Sequence, residues 1–297
     1  MRVIPLALAL ALVLAAPPAL AQTAPRTLGD RDALRGWEAV GRVDMGPGSG
    51  ADAGFCTGAL IAPDLVLTAA HCLFDGASPR NPADIVFRAG LTNGRAMAEA
   101  RVTAAAAHPA YRPGGRVSDD SVRHDIALMR LASPISTAIA APFRIDTPAP
   151  GDEVSVVSYG RDRSEVLTHE RLCRVQGRER ALLAFDCDVT FGSSGAPVFQ
   201  RTMGSGSGRA RIVSIVSAGA QGQRLAFGPE LPETVEVLKR ALASGRGTAG
   251  LVQAGGGAAA APVAQARRIG AGMGIGSGEA GRDIGARFVK PRVTSAP

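Results

Sequence analysis

The sequence predicts an all-β protein of antiparallel barrels followed by a single C-terminal helix. Three observations carry this expectation. Between Trp37 and about Leu231, short β-forming runs alternate with Gly, Pro, Asn and Asp, the rhythm of strands joined by tight turns. Only one stretch shows a clear helical period. The chain of 297 residues is also longer than one compact domain usually needs and has room for two barrels and a tail.

The β-type runs fall at residues 39–43, 65–69, 85–88, 126–131, 154–158 and 211–217. The helix is expected over 232–243. Pro232 suits a first turn, Glu233 and Glu236 favour the N-terminal end, and Val235, Leu238 and Leu242 share one face. Lys239 and Arg240 favour the C-terminal end, where the carbonyl dipoles point, and Gly245 is a suitable stop.

The two ends read differently. Residues 1–21 have the form of a secretory signal peptide: Met1-Arg2, an apolar stretch from Val3 to Ala16, and the small-x-small site Ala19-Leu20-Ala21. No later segment has the roughly 18 uninterrupted apolar residues of a membrane span, so the expected location is secreted or periplasmic, without a membrane span. Residues 22–35 carry Pro25 and Gly29 without a period and are expected to be a loosely held N-terminal arm or propeptide. Residues 245–297 are dominated by Gly and Ala and are expected to be disordered.

The formal charge of +7 is concentrated in that tail, which holds seven cationic and two acidic residues. A basic patch spread over a folded surface would point to nucleic acid; this distribution argues against it. The tail is expected to be a solvated extension, with weak electrostatic association with anionic envelope surfaces as the alternative. No cofactor motif is present.

The four cysteines, Cys56, Cys72, Cys173 and Cys187, form an even set without a C-x-x-C pair, which favours two disulfides over a metal or redox site. Spacing alone allows three pairings. Three segments then stand out. Cys56-Thr57-Gly58 begins a run that ends in Thr68-Ala69-Ala70-His71-Cys72, where an apolar strand delivers a histidine. A bond from Cys56 to Cys72 would tie that hairpin and fix the histidine, as a general base requires. His124-Asp125-Ile126-Ala127-Leu128 places a carboxylate at the start of an alternating strand. Gly192-Ser193-Ser194-Gly195-Ala196-Pro197 sets a serine in a tight turn whose glycines permit unusual backbone angles.

Together, from about Trp37 to Leu242, these segments resemble the trypsin-like (chymotrypsin-type) serine peptidase family, with its T-A-A-H-C, D-I-A-L and G-D-S-G-G-P motifs. The chain order of histidine, aspartate and serine is that of chymotrypsins. The resemblance implies a peptidase domain over 36–244, with two barrels at about 36–135 and 150–231. It also implies cofactor-free hydrolysis of protein or peptide substrates. Ser194 would be the nucleophile, His71 the general base and Asp125 its orienting partner, with the N–H groups of Gly192 and Ser194 forming the oxyanion hole. Ser217 matches the strand that lines the cleft and supports the aspartate, and Gly219 follows it along that wall. A second disulfide, Cys173 to Cys187, is implied by family members that close a loop before the nucleophile turn.

Four departures accompany the resemblance. Ser193 stands where trypsins place the aspartate that pairs with the freed N-terminus, and no R-I-V-G-G type activation site is present. The oxyanion hole is therefore expected to be braced by other contacts, as in the bacterial glutamyl-endopeptidase branch, which lacks the same aspartate. Ala218 replaces an aromatic residue, predicting a more open wall. Asp188 lies where a buried carboxylate would select Arg or Lys before the cut; with Thr190 replacing a pocket-fixing cysteine, a loop carboxylate is the alternative. The absence of histidine after Ser194 disfavours glutamate specificity.

His108, His124 and His169 are expected to be surface or structural rather than metal ligands. Asp119, Asp120 and Asp125 match no calcium-loop spacing. The rival functional reading is a weak or inactive peptidase-fold binding protein of the cell envelope.

Overall fold

The computed structural model of the chain describes residues 25–46, 55–200, 209–219, 223–245 and 252–253. The expected signal peptide and most of the expected tail lie outside the described residues.

Six strands build the first barrel: β1 (Val40–Met45), β2 (Phe55–Ala62), β3 (Leu65–Thr68), β4 (Ile85–Ala89), β5 (Ala98–Ala107) and β6 (Ala127–Leu131). They pair in the order β5-β4-β1-β2-β3-β6, and β6 pairs back onto β5, closing the cylinder with antiparallel ladders throughout. Closure leaves no open edge. Inward side chains such as Val43, Leu60, Val66, Phe87, Val102 and Met129 are buried.

The second half contains β7 (Glu153–Gly160), β8 (Arg163–Glu179), β9 (Leu182–Phe185), β10 (Pro197–Gln200), β11 (Arg211–Ile215), β12 (Ala218–Gly219) and β13 (Ala226–Pro229). Their order is β11-β10-β7-β8-β9-β13-β12. Among the described residues no ladder closes this sheet, but it curls until its ends meet. Ser214 Oγ donates to the Pro229 carbonyl at 2.7 Å, and Ser217 N–H donates to the Phe227 carbonyl at 2.9 Å. The second expected barrel is thus a rolled sheet, around a core that includes Val154, Val175, Phe185, Val198 and Val213.

The halves are joined by more than apolar packing. Trp37, Phe143 and Phe199 form an aromatic cluster, with Trp37 to Phe199 centroids 5.0 Å apart. Buried Arg42 of β1 binds Asp44 at 2.6 Å and reaches the Ser164 carbonyl at 2.9 Å and the Glu165 carboxylate. Tyr159, fully buried at the end of β7, donates from its hydroxyl to the Leu91 carbonyl at 3.0 Å.

Three α-helices accompany the strands among the described residues. α1 (Arg31–Leu34) is capped by Asp30, α2 (Asp119–Arg123) is capped by Ser118, and α3 (Pro232–Ser244) buries Val235, Leu238, Ala241 and Leu242. α3 ends at Gly245 with φ of 60°, the left-handed cap that glycine adopts without strain. The Arg130 guanidinium donates to the Leu242 carbonyl at 3.3 Å, tying this end of α3 to the first barrel.

The N-terminal segment departs from its expectation. Arg26–Thr27 pairs with Thr168 and His169 of β8, while Leu28 and Leu34 are buried in the core. Those two leucines, spaced for an irregular loop and one helical turn, have no period of their own. Their docking becomes visible only against the folded barrels.

Candidate active site

The site lies where the halves meet, and each half contributes one wall. β3 ends at Thr68 and the chain enters a short 3₁₀ turn, Ala70–Leu73, that carries His71. Cys72 in that turn is bonded to Cys56 of β2, at a sequence separation of 16. A loop of that size gives roughly 3 kcal/mol of stabilisation by restricting the unfolded chain. The same bond removes Cys56 and Cys72 as thiolate ligands beside His71.

α2 leads through His124 to Asp125, which is 4% exposed. One carboxylate oxygen accepts the backbone N–H of His71 at 2.8 Å, and the other lies 2.7 Å from His71 Nδ1. Ser217 Oγ donates to that second oxygen at 2.6 Å. The carboxylate thus fixes the main chain and the ring of one histidine, and its acceptance at Nδ1 leaves Nε2 as the acceptor of the neutral imidazole.

The opposite wall is the turn from Thr190 to Ala196. Gly192 has φ of 93° and Gly195 has φ of 75°. A methyl group on Gly195 would stand 2.2 Å from Thr68 Oγ1 and 2.4 Å from the Thr57 carbonyl; one on Gly192 would meet the Phe55 ring at 2.4 Å. Both glycines are required for conformation and for space.

Backbone bonds lock this turn to both halves. Gly195 N–H donates to Val216 O at 2.7 Å, Thr57 N–H to Ser194 O at 2.8 Å, and Arg161 N–H to Phe191 O at 2.7 Å. The last bond matters because the carbonyl and N–H of a trans peptide point in opposite directions. With Phe191 C=O turned toward Arg161, Gly192 N–H is turned away from it. Among the described residues, neither Gly192 N–H nor Ser194 N–H donates to another protein group.

Ser193 is 1% exposed, and its Oγ accepts Thr190 N–H at 3.4 Å and lies 3.1 Å from Ser158 Oγ. Thr57 Oγ1 donates to Gly192 O at 2.8 Å and accepts Tyr159 N–H at 3.1 Å. These neutral polar contacts hold the Ser193 hydroxyl and the Gly192 carbonyl in the turn.

His71, Asp125, Gly192, Ser194 and Ser217 all line one cleft of about 350 Å³. Tyr111 lines it too; burial, and then the Asp125 charge, push its phenol pKa well up, keeping it neutral. The expected residues Asp188 and Gly219 do not line it. Asp188 is exposed, the loop-carboxylate alternative, because the chain turns it outward between the buried Cys187 and Val189. Gly219 is buried in β12, and residues 220–222 beyond it lie outside the described residues.

Ala218 also differs from its expectation. It is 1% exposed in an apolar cluster with Val122 and Phe227, against which Val117 packs; Val117 and Val122 line the cleft, so a neighbouring segment covers the wall that a smaller side chain was expected to open. Cys173 is bonded to Cys187, with Cα atoms 5.0 Å apart. His108 stacks on His124 with centroids 4.6 Å apart, and His169 packs against Trp37 at 4.8 Å, so all three histidines are structural.

Residues that sequence reasoning missed are Thr57, Ser158, Tyr159, Arg161 and Phe191. Their only sequence signal was proximity to a motif, as for Thr57 after Cys56. Their contacts cross 35 residues for Ser193 to Ser158 and 135 for Thr57 to Gly192.

Comparison with known proteins agrees with this geometry. A family model described as "Trypsin-like peptidase domain" matches residues 56–205. "Serine protease SP24D" of Anopheles gambiae is 31% identical over 166 residues, 48% of this chain and 57% of that protein. "Serine protease 23" of Bos taurus is 28% identical over 165 residues, 49% of this chain and 44% of that protein. The chain therefore matches about half the length of these curated relatives.

Among solved structures, a Glu endopeptidase in complex with MPD superposes with a TM-score of 0.57 at 19% identity, covering 76% of this chain and 99% of that one. Protease Anisep from Arthrobacter nicotinovorans gives 0.54 at 17%, covering 70% and 96%. These two establish the shared fold. With half its length matched by the family model, the chain belongs to the trypsin-like peptidase family.

Proposed function

We propose that the protein is an exported serine endopeptidase that cleaves peptide bonds through an acyl-enzyme on Ser194. The observation that carries this reading is the double hold of Asp125 on His71, at the ring nitrogen and at the backbone N–H, in the cleft that also contains Ser194. Asp125 holds the proton on Nδ1, so Nε2 takes the Ser194 hydroxyl proton as Oγ attacks the substrate carbonyl. The imidazolium that forms lies against the buried carboxylate. It then gives the proton to the leaving amine, and water repeats the sequence in reverse to free the acid.

Negative charge on the tetrahedral oxygen is stabilised by the N–H groups of Gly192 and Ser194. Removing one such donor typically costs about 10²–10³ in rate. The bonds Arg161 N–H to Phe191 O and Thr57 Oγ1 to Gly192 O support a hole that is set without a cleaved N-terminus. The exposure of Asp188 removes the support for a preference for Arg or Lys before the cut. Export rests on the leader-like residues 1–21 together with the two disulfides.

Covalent labelling by a fluorophosphonate tests the central claim. The expected result is one adduct on Ser194, lost in Ser194→Ala and in His71→Ala. Failure of the wild-type chain to label would overturn the enzyme in favour of a binding protein of the same fold.

A further inference from the structure

The cleft around Ser194 has a charge that the triad does not require. Three arginines line it, Arg112, Arg116 and Arg161, and all three are exposed. Among the described residues, the only carboxylate lining it is Asp125, buried and engaged by His71 and Ser217. Of the acidic groups in the adjoining segments, Asp75 lies 3.6 Å from Arg80 and Asp119 lies 4.0 Å from Arg123, while Asp120 and Asp162 are exposed and do not line the cleft. Arg112 donates to the carbonyls of Pro109 and Tyr111.

Arg161 is the most constrained of the three. Its guanidinium carbon lies 4.2 Å from the Phe191 ring centroid, and its backbone N–H holds the Phe191 carbonyl at 2.7 Å. Stacking on an aromatic face immobilises the planar fork while its edge still faces solvent. That is the preorganised form in which arginine takes a carboxylate by two hydrogen bonds.

Its position sets which part of a substrate it meets. Val122 clusters with Ala218, next to Ser217, and Val117 packs on that cluster, whereas the Phe55 ring lies against Gly192, next to Phe191; Val117, Val122, Ser217, Phe55, Phe191 and Gly192 all line the cleft. If the acyl half of a peptide follows the Ser217 strand and its carbonyl sits at Gly192 and Ser194, the leaving half passes Phe191 and Arg161. We propose that Arg161 is a specificity-determining residue that selects substrates carrying a carboxylate on the leaving side of the cut. The proposal rests on the reading of Ser194 as nucleophile. The carboxylate can come from an Asp or Glu side chain or from the C-terminus of a short substrate, chemically the same group.

The test uses peptides with one constant acyl half and four leaving halves. Three are amidated and differ only in bearing Ala, Glu or Lys at the second position after the cut; the fourth bears Ala and a free C-terminal carboxylate. For the wild-type chain at low salt, kcat/KM for Glu or for the free carboxylate is expected to exceed the amidated Ala peptide about five- to tenfold, with Lys lowest, the scale of one exposed charge pair. Which of the two favoured peptides leads tells the side chain from the terminus. The ranking should shrink in 1 M salt, where the Debye length falls to about 3 Å.

Arg161→Lys should retain the order, Arg161→Ala should compress it to within about twofold, and Arg161→Glu should invert it. Each substitution keeps the backbone N–H that binds Phe191, so the turn is preserved. Equal rates for all peptides, or a ranking that survives in Arg161→Glu, would overturn the proposal while labelling of Ser194 leaves the peptidase reading intact. Loss of both labelling and cleavage in the wild-type chain would overturn both.

Discussion

The two walls of the cleft are fixed by different means. On the first-barrel side, His71 and Asp125 are positioned by side chains: one disulfide, one carboxylate that binds ring and backbone, and one serine hydroxyl. On the second-barrel side, the Thr190 to Ala196 turn is positioned chiefly by main-chain bonds and by two glycines with positive φ. Proton transfer depends on which chemical groups are present, so one wall tolerates little change of identity. In the proposed mechanism, oxyanion binding depends on where N–H groups point, so the other tolerates little change of shape.

Asp125→Asn breaks the first wall while sparing its shape, because the amide can occupy the same space, its oxygen accepting the His71 N–H and its NH2 group donating to Nδ1 and to Ser217 Oγ. The expected loss is about 10⁴ in kcat with little change in Tm, since the wrong histidine tautomer is then held. Steady-state kinetics beside a thermal melt measures both quantities.

Gly195→Ala breaks the second wall and should invert that pattern. Its methyl group collides with Thr68 Oγ1 and the Thr57 carbonyl, neither of which can retreat from the barrel. Loss of roughly 2–4 kcal/mol of stability is expected, the scale of strain and overpacking combined. A denaturant midpoint equal to that of the wild type would show that the turn is softer than its contacts imply.

The smallest expected effect concerns pH and falls on the side-chain wall alone. Burial, and then the charge of neighbouring His124, hold His108 below its ordinary pKa of 6.5. Its Nδ1 accepts the Ala110 N–H at 3.1 Å, a bond that needs the neutral ring. Below pH 6.5 the unfolded chain therefore binds more protons than the folded one. Stability present above that value is lost as the pH falls toward the depressed pKa. In His108→Asn, whose amide oxygen can replace Nδ1, the fall in Tm between pH 7 and 5 should be shallower by a few degrees.

Both walls were legible in the sequence to different depths. His71, Asp125, Ser194 and Ser217 stood in motifs, and the structure brings all four into one cleft because each motif sits at the end of a strand facing the seam between the halves. Asp188 and Ala218 were read from position relative to a motif; Asp188 takes the loop-carboxylate alternative, and the wall at Ala218 is covered rather than open. Whether a carboxylate faces a pocket or solvent, and whether a loop covers a small side chain, are decided by segments distant in sequence. The loop of Val117 and Val122 is about a hundred residues from Ala218.

The sequence by itself determined the strand rhythm, the helix that stops at Gly245, the order of the reactive residues and the glycines of the serine turn. Each of these is encoded within a few residues, through side-chain alternation, backbone torsion and local capping. Only the tertiary structure decided how the turn is braced without an aspartate, through Thr57, Ser158 and Tyr159, how the N-terminal segment docks through Leu28 and Leu34, and which charges face the cleft. These depend on partners that become neighbours only when the barrel has closed and the second sheet has rolled against it.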